Sequence, residues 1–208
     1  DLWSGILAGG PVMVPLLAIP VIALILAIER VIYFLRQTLN TIAVGDEIIN
    51  ACRKDCIQEA SEIARKKNQV ISRVLLACIE NRDGKTEDME DAVQESLLHE
   101  LPAIERFEAT LRMLAAIAPL LGLLGTVTGM IGTFRQITLY GTGDPGIMAG
   151  GISEALITTA SGLSIAIPLL LMHNAFKGRT QNVLGDVERY AATLLNLFKT
   201  DELQSSRK

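Results

Sequence analysis

Uncharged, mostly apolar residues fill positions 2–28, 113–134 and 145–153 and, after the single acid Glu154, positions 155–176. A helix of about 20 such residues crosses the ~30 Å hydrocarbon layer of a bilayer, so the pattern predicts three spans. Between the first two lies a charged stretch with apolar residues at helical spacing: Ile42, Ile48, Ile49, Cys52, Cys56, Ile57 and Ile63, then Val70, Val74, Leu75 and Ile79. Asn81, Arg82, Asp83 and Gly84 interrupt it. Thr86, followed by Glu87 and Asp88, reads as an N-cap with acids in the first turn, where the helix dipole favours them. A further helix toward Pro102 is expected to run into the second span. Residues 140–151, rich in Gly, read as the turn between the last two spans. The expected fold is all-α: an integral membrane protein with three transmembrane helices and cytoplasmic helical extensions. Its parts are a first span (1–35), a helical segment (36–111), a second span (112–139), a short external loop (140–151), a third span (152–176) and a C-terminal helix and tail (177–208).

Composition agrees with this division. Half of the residues are hydrophobic, 20% are charged and the mean hydropathy is +0.36, well outside ordinary soluble usage. A cleaved leader is the rival reading of the first stretch, but it has no basic n-region, is too long for an h-region and ends in Glu29 and Arg30. Twelve of the 19 Lys and Arg residues lie between Arg30 and Arg112, six follow from Lys177, and Arg135 alone lies between the last two spans. The excess of basic residues on the cytoplasmic side then places residues 36–111 and the C-terminus inside, with the N-terminus and short loop outside. Trp3, Tyr33 and Tyr140 fall where interfacial aromatics are expected. The net charge of −4 says little when charges are segregated this way, and no basic stripe interleaved with aromatics points to nucleic acid.

Enzyme chemistry finds little foothold. There is no Walker loop, G-x-G-x-x-G, G-x-S-x-G or H-E-x-x-H. No Ser/His, paired Asp or metal-ligand set lies inside the spans, so neither catalysis nor a cofactor is expected. Cys52 and Cys56, one helical turn apart, with Cys78 and His99 in the same segment, invite a metal reading. Reduced cysteines acting as small core hydrophobes are the plainer account. His173 reads as an interfacial residue.

The second span is unusually bare. In "APLLGLLGTVTGMIGTF", residues 118–134, the small residues Ala115, Ala118, Pro119, Gly122, Gly125, Thr126, Gly129 and Thr133 fall on one stripe of a helix turning about 100° per residue. Close helix packing accounts for most of this. It does not require hydroxyls at Thr126 and Thr133, which can hydrate or relay an ion. On the third span Glu154, Thr158 and Ser161 share a face, Thr159 lies about 140° from Glu154, and Gly162 adds a further small position. A carboxylate at the centre of a span costs about 2.5–3.5 kcal/mol and needs a polar neighbour or water. Alternatively, Glu154 caps the helix at the external interface.

The same block and "GGISEALITTASGLSIAIPLLLMHNAF", residues 150–176, resemble the paired signature of the ExbB/TolQ/MotA proton-channel family, closest to its ExbB/TolQ branch. The resemblance implies a homopentamer whose second and third helices line a pore. It implies a single-span ExbD/TolR-like partner carrying a membrane aspartate, and a TonB/TolA-like protein that receives the force. Protons crossing the bacterial inner membrane would drive the work, with Thr126 and Thr159 matching the pore threonines and Glu154 the membrane glutamate. Thr133 and Thr158 are further path candidates; Pro119, Gly122, Gly125, Gly129 and Gly162 would pack around the pore. A structural scaffold and a MotA-like flagellar subunit are the alternatives, the latter disfavoured because such subunits generally have an additional span.

Overall fold

The computed structural model describes residues 12–38, 41–141 and 145–205. Among the described residues seven helices form in order, α1 (Met13–Thr38), α2 (Thr41–Arg53), α3 (Ile57–Lys67), α4 (Val70–Glu80), α5 (Thr86–Ile104), α6 (Glu108–Tyr140) and α7 (Pro145–Ser205), and no strand. Three stretches, within α1, α6 and α7, are long and apolar enough to cross a membrane. The chain divides into two compact units, Asp1–Glu29 with Phe107–Phe176, and Arg30–Arg106 with Lys177–Lys208.

In the first unit α1, α6 and the N-terminal half of α7 pack around Met13, Leu16, Ile19 and Ala23, Leu111, Ala115 and Ala118, and Ala166 and Leu169. The buried residues of α1 recur every three or four positions, as a helix with one inward face requires. Its opposite face is apolar but exposed, with Val21, Leu24, Ile25 and Ile28 at 53–63% of their free surface. Such a face is stable only against lipid or another protein.

The second unit is built differently. Helices α2 to α5 and the C-terminal half of α7 enclose Val44, Ile48, Val74, Leu75, Cys78, Met89, Val187 and Leu194, while charged residues lie outward. Arg73 grips Glu100 through two hydrogen bonds of 2.6 and 2.5 Å. Tyr190 donates its hydroxyl to Asp46 Oδ1 at 2.7 Å, and its ring lies where a Cβ on Gly45 would stand, at 2.7 Å. Arg30, 1% exposed, stacks on Tyr33 and Phe34 and donates to the carbonyls of Ala103 and Ile104 at the end of α5. A buried guanidinium is thereby neutralised by orphan carbonyls and the negative end of a helix dipole.

The structure corrects the sequence reading in five places. The run from 42 to 79 is three helices, because Asp55 (φ 60°) and Asn68 (φ 45°) adopt the left-handed conformation that stops a helix. Cys52 and Cys56 consequently belong to different elements, one buried and one exposed. The N-cap of α5 is Lys85, one residue before Thr86, with its N–H received by Asp88 Oδ2 at 2.9 Å. Helix α5 does not run into the second span: it ends at Ile104, and Phe107 at φ 64° precedes α6. Helix α7 starts at Pro145, so most of the anticipated external loop is helical, Pro being favoured in a first turn. Trp3 and the N-terminal end lie outside the described residues.

Candidate functional site

The small residues of α6 meet those of α7 along an antiparallel seam. A Cβ added at Gly122 would stand 3.1 Å from the Thr159 Cα; at Gly125 it would overlap the Thr158 side chain; at Gly129 it would stand 3.0 Å from the Ala155 Cβ. From the other side, a Cβ at Gly162 would come 2.7 Å from the Ala118 carbonyl, and one at Gly151 would overlap the Thr133 hydroxyl. Glycine is required here because two backbones approach within van der Waals distance. The packing group expected from the sequence is therefore one contact between two helices of the same chain, with half-buried Pro119 beside it.

The threonines divide by position. Thr158 (1% exposed) and Thr133 (5%) are enclosed in the seam, with hydroxyls on the Glu154 and Gly129 carbonyls at 3.0 Å each. Thr159 reaches across the seam to the Gly122 carbonyl at 2.9 Å, a hydrogen bond between the two helices. Thr126 is half-exposed, and its hydroxyl turns back to the Leu123 carbonyl at 2.7 Å.

The seam has two unlike flanks. On one, Leu114, Ile117 and Leu121 of α6 and Ile157, Ile165 and Met172 of α7 are partly buried against the core that α1 completes. On the other, Leu123 (58%), Leu156 (63%), Leu163 (49%) and Leu170 (45%) stand exposed. Helical spacing puts Thr126 and Thr159 on the open flank, and Glu154 and Ser161 on the flank that α1 adjoins. The structure thus brings Thr126 and Thr159 together and leaves Glu154 on the other side of a seam too tight for water. Glu154 is half-buried, and its carboxylate makes no hydrogen bond or ion pair among the described residues.

His173, read from sequence as interfacial, is buried: it is 8% exposed, with Nε2 3.9 Å from Glu108 Oε1 and Nδ1 3.3 Å from Asn174 Oδ1. It continues the buried stripe of Ala155, Thr158, Gly162, Ala166 and Leu169, and that periodicity was the signal available. Arg30 was missed because a charge beside an apolar run reads as its end. In the second unit burial pushes the Cys52 thiol up to about 11 and the Cys78 thiol to about 12, so both persist as protonated, inert core residues.

Residues 62–189 match the model of the MotA/TolQ/ExbB proton channel family. The chain belongs to that family. Its relatives place it on the ExbB/TolQ branch. An ExbB-like biopolymer transport protein of Synechocystis is 36% identical over 80% of this chain and 66% of its own length. A second from the same organism, ExbB-like 3, is 30% identical over 82% of each chain. The Tol-Pal system protein TolQ of Pseudomonas aeruginosa is 38% identical over 42% of this chain and 39% of its own length. The chain thus spans about two thirds of the first relative and less of the third. The ExbB/TolQ-like chain is a membrane protein of a transport family.

Proposed function

We propose that this chain is the channel-forming subunit of a proton-driven motor in a bacterial inner membrane, and is not an enzyme. Several copies, by family resemblance five, surround a path for protons; a single-span ExbD/TolR-like partner carries the aspartate that accepts them. The coupled movement performs work for TonB- or Tol-dependent transport or envelope maintenance. The N-terminus lies outside and the C-terminus in the cytoplasm, following the Lys and Arg distribution.

The observation that carries this reading is the open flank. There the half-exposed Thr126 and the Thr159–Gly122 bridge are the polar groups among exposed leucines, on the side that α1 leaves uncovered. A single chain cannot enclose a path with one flank, so a closed ring of copies is needed. A lone hydroxyl cannot hold a charge in hydrocarbon, and the titrating carboxylate must come from a partner or from Glu154.

The test is proton flux into liposomes holding the chain with its single-span partner. Thr126→Val keeps the volume and removes a hydroxyl that packs nothing. It should assemble normally and lower flux at least tenfold. Glu154→Gln should also assemble and fail in force generation. Normal flux in both variants would leave the scaffold reading, in which the small-residue faces only pack helices.

A further inference from the structure

Two charges of the first unit, near one end of the α6–α7 pair, have no partner among the described residues. Glu154 is half-buried on α7. Arg135 is exposed on α6, and it makes no hydrogen bond or ion pair among the described residues. Charges at membrane depth are costly unless paired or wet. Neither finds its partner among the described residues of its own chain, although their signs are complementary.

Their geometry explains both facts. Arg135 completes a stripe with Leu124, Thr128 and Ile131, spaced four, three and four residues apart. All four are exposed, Leu124 at 48% and Ile131 at 61%, because this stripe faces away from the seam with α7. The guanidinium is therefore turned away from the α6–α7 contact; it shares the helix position of Ile117, 18 residues earlier, on the flank of the pair where Glu154 also lies.

Height along the helices differs by an amount that the two side chains can span. The seam sets Gly129 level with Ala155 and Thr133 level with Gly151, which puts Arg135 about five residues, or ~7.5 Å, from the level of Glu154. Side chains on a helix lean toward its N-terminus. In an antiparallel pair that tilt brings Arg135 and Glu154 toward a common level. A cyclic ring keeps every copy at the same height, so the same offset holds between neighbours.

We infer that Arg135 of one copy pairs with Glu154 of the adjacent copy, closing the subunit border of the assembly. The inference rests on the ring arrangement proposed above and adds a residue-specific contact to it. The border is heterologous: each copy contributes its arginine to one neighbour and its carboxylate to the other. Glu154 is then held by a neighbour's guanidinium, on the far side of the seam from the Thr126–Thr159 flank.

Disulfide trapping tests this in the full-length chain in membranes, with Cys52, Cys56 and Cys78 replaced by Ser. Arg135→Cys in one tagged copy and Glu154→Cys in a differently tagged copy are expressed together and oxidised with copper phenanthroline. A cross-linked dimer carrying both tags is expected, at least fivefold above either single-cysteine control. As a second readout, Arg135→Glu and Glu154→Arg should each weaken the oligomer, and the chain carrying both should recover it. An oligomer without the two-tag cross-link overturns the pairing alone. A monomeric chain overturns the pairing and the ring together.

Discussion

The two units solve one problem, holding helices together, with opposite materials. In the unit of Asp1–Glu29 and Phe107–Phe176 large side chains face outward, and the contacts are made by glycine, alanine and threonine. In the unit of Arg30–Arg106 and Lys177–Lys208 large side chains face inward, and selected polar pairs are enclosed with them. Lipid is as apolar as leucine, so burying leucine between spans gains little; close backbone approach and occasional hydrogen bonds are what remain. Water makes burial of Ile48, Leu75 or Leu194 favourable at about 25 cal/mol per Å². That driving force carries the cost of enclosing Arg73 with Glu100.

The comparison breaks most completely at Gly125. Gly125→Leu inserts a side chain where even a Cβ overlaps Thr158; the α6–α7 seam should separate, with loss of protease-resistant protein and of oligomer in mild detergent. An intact seam would mean that the bare stripe is not a packing surface.

In the other unit the polar pair is the sensitive point. Glu100→Ala leaves the Arg73 guanidinium without its carboxylate, at 9% and 33% side-chain exposure for Glu100 and Arg73 respectively. The expected loss is about 2–3 kcal/mol, read from denaturation of the helical signal. A change below about 0.5 kcal/mol would place this pair among surface ion pairs.

Alkaline pH should act on the second unit through its enclosed thiols and phenol. Burial raises Cys52 from 9.0 to about 11, Cys78 from 9.0 to about 12 and, with the Asp46 hydrogen bond second, Tyr190 from 10.0 to about 12. Above pH 9 the unfolded chain loses these protons first and binds fewer than the folded chain, so stability falls as pH rises through this window. Thermal melts from pH 8 to 11 should show the decline, and Cys78→Ala should flatten it. Below the onset, maleimide should modify exposed Cys56 and spare Cys52 and Cys78.

The smallest effect is expected at Thr159. Its bond to the Gly122 carbonyl is a membrane hydrogen bond, for which about 0.6 kcal/mol is typical. Thr159→Val should shift stability by about that amount. A loss above 2 kcal/mol would make this bond, and not backbone approach, the main tie between α6 and α7.

Much of the fold was legible because its signals are local. Span length, the Asn81–Gly84 break and the small-residue stripe of Gly122, Gly125 and Gly129 depend on composition and periodicity within one or two helical turns. The missed features depend on neighbours far along the chain. Nothing near Arg30 announces that the end of α5, more than 70 residues away, will receive its guanidinium. Nothing near Cys52 and Cys56 shows that Asp55 turns left-handed and sends the two thiols into different environments.

The candidate site divides along the same line. Sequence by itself determined that Thr126, Thr159 and Glu154 lie on membrane helices, and that Thr159 and Glu154 lie about 140° apart, because helix pitch is a property of the backbone. Which of these angles faces open space is set by where the other helices stand. Helix α1 covers the Ile157–Ile165–Met172 side and leaves the Leu156–Leu163–Leu170 side bare. Only the tertiary structure could therefore put Thr126 and Thr159 on one flank, enclose Thr133 and Thr158 in the seam and set Glu154 apart. A flank is defined by three helices at once, and no single helix carries that information.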